Sequence, residues 1–185
     1  KHIKKYFGSK IHRIAEEEGD FLDVDICAIE PDETRDYWTL TTLGMGAHIM
    51  NMPLQYSGSP LMRTELMICL PKNWKIGSET RRWYWPVYFL QAFARVPVIE
   101  NSWFGPGHVI PTFMPFAEDA RMTGFLLLEP QDHPYESMYC TLPDGSKVMF
   151  LQMIPLYPEE LAFERAHGVE ALVERMKDVH HVVDT

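Results

Sequence analysis

FLDVDICAIEPDETRDYWTLTTL, running from Phe21 to Leu43, decides the fold. Phe21, Leu22, Val24, Ile26, Ala28 and Ile29 near-alternate with Asp23, Asp25 and Cys27, and a period of two marks a half-buried strand. Pro31 to Asp36 is a polar turn. Tyr37 to Leu43 then resumes a strand rich in threonine and aromatics. The two strands read together as an antiparallel hairpin.

Upstream, His2 to Phe7 fits a short helix ended by Gly8. A second helical start spans Lys10 to Glu18 and is followed by the turn signal Gly19-Asp20. Downstream, Gly44 to Pro60 is irregular, and Thr64 to Leu70 is an apolar strand closed by Pro71. Val87, Leu90, Phe93 and Ala94 fall at helical spacing behind Pro86, which suits a first helical turn. That helix is expected to reach about Arg95, with Pro97 ending or kinking it. Gly124 to Leu128 is a short buried strand. Tyr139 to Leu142 and Lys147 to Ile154 flank a Pro-Asp-Gly-Ser turn as a hairpin. A helix starts at Pro158 and is capped by Gly168, and Val169, Leu172, Val173 and Met176 mark a last one. Hairpins with inserted helices, and no regular βαβ alternation, give one α+β domain over 1–185: a mostly antiparallel or mixed sheet with helices packed on it.

Composition narrows the partners. The chain has 185 residues, with 17 Lys plus Arg against 26 Asp plus Glu, a formal net charge of −9. A surface that neutralises phosphates needs a cationic excess, so nucleic acid is not the expected partner. Cys27, Cys69 and Cys140 are odd in number and form no CxxC pair, so reduced thiols in a cytoplasmic protein are expected, without a disulfide framework or a zinc site. The basic start lacks the apolar run of a signal peptide, and runs such as Phe125 to Leu128 are far too short for a bilayer. Residue 1 is Lys, so the natural N-terminus is expected to be missing or processed.

The chemistry-bearing residues concentrate around ENSWFGPGHVIP, Glu100 to Pro111. Gly105-Pro106-Gly107 forces a shaped loop that carries Trp103, Phe104 and His108. GMGAHI (Gly44 to Ile49) superficially resembles a dinucleotide loop but lacks the third glycine and a following helix. His48 and His108 could meet a carboxylate such as Glu65 or Asp119, yet no ligand-spaced metal motif or nucleophile elbow is present. Glu159 and Glu160 suit the positive end of a helix, and Glu160 with Glu164 is a like-charge pair. Trp83, Tyr84, Trp85, Tyr88 and Phe89 are too many aromatics for one helical stripe, so some are expected to face a partner.

Several blocks in order resemble the suppressor of fused (SUFU) domain family, and a bacterial stand-alone member in particular. They are DVDICAIEPDETRDYWTLTTLGMGAHIMNMP, RTELMICLP, the Trp85-Pro86 helix start, ENSWFGPGHVIP, TGFLLLEP, KVMFLQMIPLYPEEL and GVEALVERM. The resemblance implies an α+β domain without established catalytic activity. Eukaryotic relatives place a second lobe after this one and hold a peptide of Gli-type transcription factors between the two, whereas this chain is expected to be the first lobe alone. Some bacterial relatives are proposed to be immunity proteins that neutralise toxins.

The expected function is therefore a cytoplasmic protein-interaction domain with no cofactor and no metal, acting on a protein partner such as a toxin, as a monomer or homodimer. The expected contact surface is Tyr84, Trp85, Trp103, Phe104 and His108. Two alternatives stand beside it. One is a hydrolase-like enzyme using His108 with a carboxylate as general acid and base. The other is a structural subunit whose aromatics close a homodimer.

Overall fold

Along Thr64–Pro71, Leu66, Ile68 and Leu70 point into one apolar cluster while Met67 and Cys69 point into another. A strand buried on both faces requires cover on both sides of its sheet. The computed structural model describes residues 1–17, 22–177 and 182–183 and shows both covers. The strands are β1 Ile11–Glu17, β2 Val24–Ile29, β3 Tyr37–Leu43, β4 Thr64–Pro71, β5 Val109–Pro111, β6 Gly124–Leu128, β7 Tyr139–Thr141 and β8 Lys147–Leu156. The helices are α1 His2–Tyr6, α2 Arg81–Ile99, α3 Pro158–His167 and α4 Val169–Arg175.

The sheet runs β1-β2-β3-β4-β8-β6-β5, with β7 paired to β8. Between these strands the pairings are antiparallel except β4 with β8, which joins Thr64–Met67 to Met149–Gln152 in parallel. Helix α2 crosses β2, β3 and β4 on one face. It buries Trp85, Leu90 and Ala94 against Ile26, Leu40, Leu66 and Leu151. On the other face, Phe7, behind α1, meets Ile29, Met67 and Phe150. Helices α3 and α4 cover Leu126, Ile154 and Leu156 with Leu161 and Leu172. The expected α+β architecture with a mixed sheet is the one observed.

Three local expectations change. Residues 11–17 form an edge strand, not a helix. Ile11, Ile14 and Ala15 are helix-spaced, but backbone pairing with β2, with a register shift between Arg13 and Ala15, overrides that local pattern. The Gly19-Asp20 turn, Phe21 and Glu18 lie outside the described residues. Helix α2 starts at Arg81, ahead of Pro86, and continues through Pro97 to Ile99. Each proline withholds one i→i−4 bond, yet both rings are buried against the sheet, and that packing holds the helix together. The third change is β5, three residues too short to show a period.

Candidate functional site

Burial divides the sequence-selected residues into two groups. Trp85 and Phe104 are 2% and 7% exposed and belong to the core between α2 and the sheet. The expected exposed contact residues Trp85 and Phe104 are therefore core residues in the fold. Trp85 stands edge-on to Trp74, with centroids 5.7 Å apart, and 4.8 Å from Phe116. Phe116 in turn stacks on Phe125 at 4.5 Å. Tyr84, Trp103 and His108 are partly exposed. Tyr84 and Ile99 lie in the same helix, about 22 Å apart at 1.5 Å per residue, and Trp103 follows beyond its end. Sequence grouped these residues, and the fold separates them.

At the N-terminal half of α2, Tyr84, Tyr88 and Phe89 face Thr112, Met114 and Phe116 across a groove of about 520 Å³. Tyr88, Phe113 and Met114 are 57%, 79% and 63% exposed. Phe113 also has φ +60°, a left-handed conformation that a bulky side chain rarely takes. Arg81 donates to the carbonyls of Phe116 and Pro115 and ties this loop to the helix. The sequence reading missed Phe113 and Met114. Their signal was the short TFM run between Pro111 and Pro115, which no helix or strand could absorb.

At the other end, the Trp103 indole meets the His108 imidazole edge to face at 4.3 Å, and Tyr56 lies 5.5 Å from Trp103. The loop is pinned: Gly107 N–H donates to the Leu127 carbonyl at 2.7 Å, and Leu127 N–H donates to that of His108 at 2.9 Å. A side chain at Gly105 would stand 2.6 Å from the Trp103 ring, so glycine lets the indole lie over the backbone. Burial pushes the His108 pKa below its ordinary value. His108 lines a cleft of about 460 Å³ with Leu161, Glu164 and Arg165. Among the described residues, no carboxylate hydrogen-bonds to it.

The other candidates are accounted for structurally. Glu65 is buried, and Thr42 Oγ1 donates to its Oε2 at 2.6 Å. The Gly44 and Gly46 N–H groups each donate to its Oε1 at 3.0 Å. The donors that could have cradled a phosphate in GMGAHI therefore hold a carboxylate of the chain itself. Asp119 pairs with Arg82 at 2.9 Å, and neither Glu65 nor Asp119 bonds to His48 or His108. Glu160 accepts the Tyr157 N–H at 2.7 Å as part of the α3 cap, and Glu159 pairs with Arg121 at 2.9 Å. No group of three metal-ligating side chains occurs among the described residues, and no helix of theirs is long and apolar enough to cross a membrane.

A mixed sheet buried on both faces, with one long aromatic helix across it, defines an α+β domain. The family profile of suppressor of fused protein (SUFU) matches residues 22–185, and the chain belongs to that family. A SUFU homologue from Neisseria gonorrhoeae FA 1090 shares the fold, with a TM-score of 0.69 and 17% identity over 98% of this chain and 89% of that one. The Sufu–Fu complex structure matches with a TM-score of 0.58 and 15% identity, over 84% of this chain and 68% of that one. Drosophila Suppressor of Fused matches equally well over 84% of this chain, which corresponds to 38% of its own length. No curated protein matches the sequence.

Proposed function

We propose that the protein is a non-enzymatic protein-interaction domain whose main contact surface is the groove between Tyr84 and Tyr88 of α2 and the Phe113–Met114 loop. The observation that carries this reading is the exposure of Tyr88 and Met114 on a groove also lined by Trp85 and Phe116, with exposed Phe113 next to Met114 in the chain. Exposed aromatics over a rigid base are the usual anchors of recognition. A structure of a family relative in complex with Fu agrees with a protein partner. Trp103 and His108 form a second, smaller surface at the far end of α2, and the protein's place is cytoplasmic. The partner class we assign is a toxin that the domain neutralises.

Affinity capture from the native host tests this reading, using the wild type, a Tyr88→Asp/Met114→Asp variant and Trp103→Ala. The wild type is expected to retain a partner saturably, and the groove variant to lose it. Equal retention by wild type and groove variant overturns the assigned surface. A self-associating wild type without another partner turns the reading into a homodimer.

A further inference from the structure

On the side away from β5 the sheet ends at β1, and among the described residues no strand lies beyond it. The seven residues Ile11–Glu17 therefore pair on one side only. An open strand edge attracts another strand, and proteins commonly guard it with bulges and charges. Both devices are present in β1, and together they are symmetric.

The Glu30 N–H donates to the Lys10 carbonyl at 3.0 Å, and His12 stands opposite Ala28. Counting by twos, the main-chain N–H and C=O groups of Ile11 and Arg13 point away from β2. An unbroken strand would turn those of Glu16 towards β2. The register shift between Arg13 and Ala15 adds one residue and reverses this. Glu16 stands opposite Asp25, whose main-chain bonds, by the same count, run to β3. Arg13 and Glu16 thus both offer main-chain groups at the open edge. Their side chains share a face, since the Arg13 guanidinium lies 3.2 Å from Glu16 and 3.5 Å from Asp25. Between them, Ile14 and Ala15 both pack against the core under α2.

Two such edges set antiparallel about a two-fold axis bring Arg13 of each chain opposite Glu16 of the other, with Ile14 opposite Ala15 at the centre. An unbroken strand could not adopt this register. Two-fold pairing joins positions an even number apart, so residues three apart would not both turn their main chains to the joint. The bulge makes the register accessible. Main-chain bonds supply the attraction and the charges choose the register. The Arg13–Glu16 contact inside one strand is exposed, at 55% and 56%, so exchanging it for the same contact across the axis costs little.

We propose that β1 is a self-pairing edge: two copies of the chain join β1 to β1 antiparallel, centred between Ile14 and Ala15, with Arg13 of each against Glu16 of the other. One strand pair buries less than the roughly 800 Å² per partner of a standard interface, so the dimer is weak, with a Kd of about 100 μM. The inference does not rest on the tyrosine groove, because the loop at 112–116 follows β5 at the other end of the sheet.

The test is sedimentation velocity of the full chain from about 10 μM to about 1 mM, a range that brackets this Kd, with thermal unfolding to check the fold. The wild type is expected to pass from monomer to dimer. Arg13→Glu and Glu16→Arg are each expected to weaken the dimer at least about tenfold, because like charges then face each other across the axis. An equimolar mixture of the two variants is expected to recover wild-type association within about threefold, since every acid then faces an arginine. A purely internal role of the Arg13–Glu16 pair gives no such recovery, because neither chain in the mixture regains its own pair. The double variant R13E/E16R is expected to dimerise as the wild type does, and Tyr88→Asp to change nothing. A wild type that stays monomeric at about 1 mM, or a mixture as weak as the single variants, overturns the proposal. A dimer kept by both charge variants and lost in Tyr88→Asp places the contact at the groove and also overturns it. A partner held by the wild type and lost with Arg13→Glu, while the free chain is monomeric, gives the edge to a foreign strand and overturns self-pairing.

Discussion

Trp103 and His108 meet edge to face with ring centroids 4.3 Å apart, on a loop whose Gly105 lets the indole fold over its own backbone. This contact keeps the imidazole half out of water and holds its pKa down. The sign follows: a folded state that binds the proton less tightly is stable above the unfolded value of about 6.5 and loses that contribution as pH falls through the folded pKa. The His108 titration followed by NMR should have its midpoint below that of a peptide histidine. Trp103→Ala should move it back up.

Glu65 supplies a second pH dependence, of opposite sign. Burial raises its pKa, while Thr42, Gly44 and Gly46 hold the carboxyl in place. Its contribution is greatest below the unfolded carboxyl value and declines as pH rises toward the raised folded pKa. Glu65→Gln should flatten this slope in denaturant titrations at several pH values and still fold. Glu65→Ala strands the loop donors and should cost about 2–4 kcal/mol.

Gly44 has φ +120°, and a side chain there would stand 2.3 Å from the Asp23 carbonyl oxygen. The atoms it would meet are all backbone of Asp23 and Val24, so no flexible side chain can give way. Gly44→Ala should destabilise by more than about 2 kcal/mol, read as a lowered midpoint of thermal unfolding.

The two tryptophan-helix aromatics that sequence grouped together should part in a stability assay. Trp85→Ala opens a cavity in the core and should cost about 3–5 kcal/mol. Tyr88→Ala, at an exposed position, should stay within about 0.5 kcal/mol. Urea unfolding of both variants checks the difference.

Much of the fold could be read locally. The β2–β3 hairpin, β4, β6, the β7–β8 hairpin and the break at Gly168 all carry their period or turn chemistry in a few residues. Residues 11–17 could not be read so, because their helical spacing is overruled by pairing with a strand further along the chain. The parallel β4–β8 contact links residues more than eighty positions apart and leaves no local trace. The surface was legible only as a surplus of aromatics. Whether Trp85 or Tyr88 faces water depends on where α2 lies on the sheet, and its start ahead of Pro86 set that phase. Phe113 and Met114 went unseen because a short apolar run between prolines reads equally well as core.

The proposed partner sits in the groove between α2 and the Phe113–Met114 loop. Hydrogen exchange on the captured complex, compared with the free protein, tests it most directly. Slowed exchange is expected of the amides in 84–89 and 112–116, with little change along β1. Protection confined to other segments, with these two exchanging as in the free protein, would contradict it.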